Sequence, residues 1–255
     1  AIPFGVRAPY YPALARLGAA IYVEKPFART LAEHDAQCAP FAPERVAVGY
    51  QKRSAGYTRA LSEIVAAQIF GPLRSMRVEY GRPGVSTAGR YSSDLAMAGG
   101  GILFEVGVHP LDLALFVSAA TGARVTGGRM LRELGFDLHT EARALVSTPQ
   151  GEVPLDLVVT NLRHTTGDVT FAFERASVAV NIWGDGALRV SARDSSFETV
   201  LGGAACEMPK TAAQLVHAHW TLFLAGLRDG QVNASCASAT RVTTELLSQL
   251  YALEE

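Results

Sequence analysis

Between Ile102 and Ala120 an otherwise apolar stretch carries three ionisable side chains before Ser118: Glu105, His109 and Asp112. Their i, i+4, i+7 spacing predicts a carboxylate, an imidazole and a second carboxylate on one stripe of a helix. Burying three such groups is costly unless they pair or face a cleft. The set fits general acid–base chemistry, with the imidazole moving a proton and a carboxylate tuning it. A buried structural network is the alternative.

Gly99-Gly100-Gly101 opens this segment. Glycines let a backbone or ligand come close, and free N–H groups at a helix start favour an anion. Glu24-Lys25-Pro26 follows the short apolar run Ala20–Val23. A lysine beyond the carboxyl end of a parallel strand stands where ligands bind in open α/β sheets. His217 and His219 point apart on a helix and have no acidic or cysteine partner near in sequence, so no metal site is expected. His139 and His164 fall in sheet or loop regions, and His164 is a candidate for lining the cleft from the sheet. No Gly-x-Ser-x-Gly elbow and no G-x-G-x-x-G fingerprint occurs.

These residues need elements to hold them. The first 50 residues read as strand tail (Ala1-Ile2-Pro3), helix (Tyr11–Ala19), strand (Ala20–Val23), helix opened by a capping box at Thr30 and Glu33, and strand (Arg45–Tyr50). That alternation argues for a parallel α/β layer. Gly56–Phe70 reads as an amphipathic helix, followed by a half-exposed strand through Met76, Val78 and Tyr80. Gly81–Gly101 reads as a long loop of the kind that is commonly functional. Strands are then expected at Ala142–Ser147, Val153–Thr160, Val169–Glu174, Ser177–Trp183 and Ala187–Ala192, joined by short turns into an antiparallel sheet. Two helices close the chain, Thr211–Leu227, capped by Thr211 and Gln214, and Ser238–Leu253.

The chain has 255 residues, 49% hydrophobic and 18% charged, with net charge −1. No block of like charge favours nucleic acid or an anionic membrane surface. The longest apolar stretch is broken by Glu105, His109, Pro110 and Asp112, which argues against a membrane span. Cys38, Cys206 and Cys236 are odd in number and far apart, as for reduced thiols of a cytoplasmic protein.

In order along residues 1–120 stand Pro3, Glu24-Lys25-Pro26, Val48-Gly49-Tyr50-Gln51-Lys52-Arg53, Gly71, and Gly99-Gly100-Gly101-Ile102-Leu103-Phe104-Glu105-Val106-Gly107-Val108-His109-Pro110-Leu111-Asp112. Together they resemble the glucose–fructose oxidoreductase and inositol dehydrogenase family. The resemblance implies an α/β chain: residues 1–50 as the remnant of a doubly wound, Rossmann-type dinucleotide-binding domain, and residues 51–255 as a domain for substrate binding and oligomerisation with a mainly antiparallel open sheet. It implies hydride transfer between NAD or NADP and a secondary alcohol of a sugar, cyclitol or related polyol. An NAD-dependent glycosidase and a non-catalytic ligand-binding or scaffold relative are the alternatives.

By the same resemblance Lys25 and His109 are catalytic, assisted by Glu105, which stands where many members carry aspartate. Arg7 stands where many carry histidine. Pro3, Glu24, Lys25, Pro26 and Gln51 are expected at the cofactor, and Arg53, Tyr91, Asp112 and His164 at the substrate. A homodimer or homotetramer paired through the sheet face is implied. The family's glycine fingerprint lies upstream of the position matching Pro3, so the chain is expected to begin inside the cofactor domain and, alone, to bind dinucleotide weakly or not at all.

Overall fold

The computed structural model describes residues 2–84, 93–194, 196–202 and 212–254. Two short helices, α1 (Phe4–Arg7) and α2 (Tyr11–Arg16), lead to strand β1 (Ile21–Val23), helix α3 (Leu31–Cys38) and strand β2 (Val46–Val48). β1 and β2 pair in parallel, with Tyr22 opposite Ala47, as a crossover through a helix requires. α3 starts at the expected capping box, in which the Glu33 N–H donates to the Thr30 hydroxyl and the Thr30 N–H to the Glu33 carboxylate. Ile2 and Pro3, expected to end a strand, lie in no strand and run straight into α1.

A 3-10 turn (Gln51–Ser54) and helix α4 (Gly56–Ala66) connect to the second layer. It comprises β3 (Leu73–Gly81), a one-turn helix α5 (Leu95–Ala98), a π-helical turn (Leu103–Gly107) running into α6 (Val108–Val117), and then β4 (Gly122–Glu133), β5 (Phe136–Thr148), β6 (Gly151–Thr160), β7 (Asp168–Phe173), β8 (Ala176–Asn181), β9 (Leu188–Ala192) and β10 (Glu198–Leu201). Helices α7 (Ala212–Asp229) and α8 (Arg241–Tyr251) follow. The eight strands form one open sheet in the order β10-β9-β8-β7-β3-β6-β5-β4. β3 is parallel to β6, and the other pairs are antiparallel.

Alternation along β6 sets the faces of this sheet. Val153, Leu155, Leu157 and Val159 are buried, while Pro154 and Asp156 are exposed. The buried face packs on the α6 segment, where a side chain at Gly107 would collide with Val159, so glycine sets the helix-to-sheet approach. The stretch Leu95–Val117 is long and apolar enough to cross a membrane, but 78% of its apolar 18-residue window lies buried inside the fold. The other sheet face is open and charged, carrying Arg77, Glu141, Arg143 and Asp156.

The end of the chain returns to the first layer. Val48 N–H donates to the Ser235 carbonyl at 2.8 Å, and the Asn233 amide donates to the Val46 carbonyl at 3.2 Å. On α7, His219 reaches the Val48 carbonyl through Nε2 at 3.2 Å and the Ser54 hydroxyl through Nδ1 at 2.8 Å. Trp220 stacks on Tyr22 with ring centroids 4.4 Å apart. His219 is thus a tether between layers. The expected cap at Thr211 lies outside the described residues.

A buried ion pair locks the junction. Arg53 Nε and Nη2 donate to the two Asp112 oxygens at 2.8 and 2.5 Å, and the side chains are 1% and 2% exposed. Thr243 donates to the same carboxylate at 2.8 Å, and Arg53 Nη1 donates to the carbonyls of Ala234 at 2.7 Å and Ala239 at 3.2 Å. This corrects the expectation that Arg53 and Asp112 face substrate. Their charges are spent on each other, because a dry site tolerates a guanidinium only with its donors satisfied. Asp112→Ala leaves that guanidinium uncompensated and is expected to cost about 3–5 kcal/mol of stability, read by denaturant unfolding; a cost below about 1 kcal/mol, typical of a surface pair, would contradict this role.

Candidate active site

Lys25 stands just past the carboxyl end of β1, its peptide bond to Pro26 in the cis form. The turn that carries it is clamped by Arg7 of α1. The buried guanidinium donates to the carbonyls of Glu24 at 2.6 Å, Phe27 at 2.9 Å and also Pro26. It lies 4.7 Å from the Phe4 ring centroid. Lys25 Nζ donates to the backbone carbonyl of Glu105, which joins the first layer to the π turn of the second. Burial pushes the Lys25 ammonium down to about 8, against the opposing carboxylates of Glu24 and Glu105. A cavity of about 210 Å³ opens here, lined by Pro3, Glu24, Lys25, Gly100 and Glu105 among others.

The glycine run does receive an anion, but one supplied by the protein. The carboxylate of Asp137, fully buried on β5, accepts from the N–H groups of Gly101 and Leu103, both at 2.6 Å, and from the Tyr251 hydroxyl. A side chain on Gly101 would overlap the Asp137 backbone, and one on Gly100 the Tyr251 hydroxyl. The orphan donors of a helix start are thereby satisfied from across the core. The segment then makes its π turn before continuing as α6, and the expected polar stripe splits. Glu105 is exposed, His109 is buried and Asp112 turns to Arg53.

His109 sits at the start of α6, 6% exposed. Its ring meets Tyr50 edge-on at 6.3 Å between centroids and Trp183 at 5.7 Å. Burial, and then the charges of Lys25 and Lys52, hold its pKa well below the ordinary 6.5. The imidazole is therefore neutral at physiological pH, and Nδ1 is buried with no hydrogen-bond partner among the described residues. Among the described residues the charges bearing on His109 are those of Lys25 and Lys52, while Glu105, expected to tune His109, bears on Lys25. Lys52 follows β2 in the 3-10 turn and donates to the Ile182 carbonyl at 2.5 Å. Its ammonium lies 4.6 Å from the Trp183 ring centroid, and burial lowers it to about 8.

Of the residues expected at the cofactor, Pro3, Glu24 and Lys25 share one cavity. Pro26 is buried, its carbonyl taken by Arg7, and Gln51 is part-buried in the 3-10 turn. Of those expected at the substrate, His164 is exposed in the β6–β7 loop, and among the described residues no contact joins it to Lys25 or His109. Tyr91 lies outside the described residues. Sequence reasoning missed Lys52, Trp183, Asp137 and the clamping role of Arg7. Lys52 sits between Gln51 and Arg53, both singled out, and Trp183 abuts the Gly184-Asp185-Gly186 turn; Asp137 is legible only once the inward positions of β5 are known.

A parallel α/β layer joined to an open, mainly antiparallel sheet is a fold this chain shares with solved oxidoreductases. Residues 58–175 match the model of the GFO/IDH/MocA C-terminal domain. An aldose-aldose oxidoreductase from Caulobacter crescentus, complexed with glycerol, has the same fold with a TM-score of 0.80 at 16% identity, over 99% of this chain and 75% of its own. A levoglucosan dehydrogenase complexed with NADH gives 0.82 at 16% identity, over 99% and 76%. A 3-ketoreductase from Actinomadura kijaniata, complexed with NADP and TDP-benzene, gives 0.77 at 16%, over 100% and 77%. No curated protein matches the chain by sequence.

The depressed His109 pKa has a consequence for stability. The folded state binds this proton less readily than the unfolded chain, so stability falls as pH drops below 6.5. His109→Gln removes that loss. Unfolding midpoints at neutral and mildly acidic pH should therefore differ less for the variant than for the native chain; an equal or larger acid loss in the variant would contradict a neutral, buried imidazole.

Proposed function

We propose that the chain serves an oxidoreductase that moves a hydride between NAD or NADP and a secondary alcohol of a sugar, cyclitol or related polyol. The observation that carries the reading is a neutral, buried imidazole at the same junction as a part-buried lysine of lowered pKa. Perturbed titratable groups gathered at a cleft are the mark of proton-transfer sites. The names and bound molecules of the solved structures with this fold support the same chemistry.

The cavity at Pro3, Glu24 and Lys25 fits the nicotinamide end of such a cofactor, since it lies beyond the carboxyl end of β1, where open α/β sheets take ligands. When bound, the cofactor supplies the partner for the hydride. His109, already neutral, accepts the hydroxyl proton during oxidation and returns it during reduction. Lys25 donates a hydrogen bond to the same oxygen and stabilises the charge that gathers on it as the carbonyl forms. The Glu105 carbonyl holds the ammonium on station.

We also propose that copies of the chain pair through the open sheet face as a homodimer or homotetramer. The mixed charges of Arg77, Glu141, Arg143 and Asp156 allow a self-complementary contact about a two-fold axis.

Assay of the chain with both nicotinamide cofactors and a panel of cyclitols and sugars tests the first reading. His109→Gln should lower turnover by about 10²-fold, the usual scale for a general base, while substrate binding changes less. Turnover unchanged in the folded variant contradicts it. Sedimentation tests the second: Arg143→Glu should shift an assembled species toward monomer, and a monomeric native chain would contradict pairing.

A further inference from the structure

Trp183 stands two residues past the end of β8, at the junction of the layers, and is 46% exposed. Water contact over so large an apolar ring forgoes burial worth about 25 cal/mol for each Å². The ring is nevertheless held firmly, and its neighbours come from the site. Tyr80 is 6.0 Å away and His109 5.7 Å away between centroids. The Lys52 ammonium sits 4.6 Å from the indole centroid and donates to the carbonyl of Ile182, the preceding residue. One cation thus grips both the ring and the backbone of this turn. The Trp183 backbone N–H donates to the Asn181 side-chain oxygen at 3.0 Å, and the Asn181 amide donates to the Thr166 carbonyl at 3.0 Å. Held by Lys52 and set 5.7 Å from the His109 ring between centroids, Trp183 still keeps 46% exposure to water.

We propose that Trp183 is the platform on which the substrate ring lies, so that the site selects ring-closed polyols over open-chain ones, with Lys52 as the residue that positions the indole. This rests on the dehydrogenase reading above and narrows its substrate class. A pyranose or cyclitol ring presents a patch of C–H bonds on its face, and its hydroxyls point outward around the rim. The negative face of an indole attracts such a patch, while the rim hydroxyl is offered to His109. An open-chain polyol must freeze several rotatable bonds to present the same surface, and that ordering opposes binding.

The experiment uses the full chain carrying Trp220→Phe, which keeps a ring stacked on Tyr22 and leaves Trp183 as the fluorescent reporter. Methyl α-D-glucopyranoside and myo-inositol are the ring-closed probes, and D-sorbitol is the open-chain probe. Saturable changes in Trp183 emission are expected with at least one ring probe, and about tenfold weaker binding with sorbitol. In calorimetric titrations Trp183→Ala should weaken ring-probe binding about tenfold and Trp183→Phe about threefold, the scale of an aromatic contact. Lys52→Met should weaken it in the same direction with the indole still present. Equal response to sorbitol overturns the ring selection. No response to any probe, or unchanged affinity in Trp183→Ala, overturns the platform even where alcohol oxidation is observed. A Trp183 response with turnover unchanged in His109→Gln removes the dehydrogenase reading and leaves the platform standing.

Discussion

The carboxylate of Asp137 lies at the point where sheet and site are joined. From β5 it accepts two backbone N–H groups, those of Gly101 and Leu103, together with the Tyr251 hydroxyl, and none of it is exposed to water. A helix start has donors with no partner of its own, and a buried anion there is favourable twice over, through hydrogen bonds and through the helix dipole. The glycines admit the carboxylate by leaving no side chain in its way. From this anchored start the π turn follows, which exposes Glu105, offers its carbonyl to Lys25 and delivers His109 to the junction. The last helix is tied to the same spot, because Arg132 of β4 donates to the carbonyls of Tyr251 at 2.9 Å and Leu253 at 3.1 Å.

Around this anchor the junction sorts its charges into two groups. Arg53 and Asp112 are paired and sealed, so they hold the layers together. Lys25 and Lys52 remain near His109 and are themselves brought down to about 8 by burial. Lowered lysines give up protons more readily than free ones, and an imidazole between two cations stays neutral. The same desolvation that costs stability therefore favours the uncharged form of all three groups.

How much of this could be read from residue order differs by element. Period-two alternation marked β6 to β9 correctly, since Val153, Leu155, Leu157 and Val159 face one core. It missed β4, where Gly122, Gly127 and Gly128 are interleaved with Arg124, Arg129 and Arg132, and where strand pairing with β5 overrides poor local propensity. The Thr30 capping box was legible because its partner is three residues away. Asp137 was not, because its partners are 34 to 114 residues distant. The stripe of Glu105, His109 and Asp112 was found by helical spacing, but spacing alone could not separate a sealed ion pair from a site residue. That distinction required Arg53, brought in from another element.

The central claim is that one buried carboxylate fixes the segment presenting His109 to Lys25. Amide hydrogen exchange at Gly101 and Leu103, compared between the native chain and Asp137→Ala, tests it most directly. The account predicts strong protection of both amides in the native chain. In the variant that protection is lost and the His109 ring resonances shift, while the amides of Leu155 and Leu157 in the sheet stay protected. Unchanged protection at Gly101 and Leu103 after removal of the carboxylate, with the sheet intact, would contradict it.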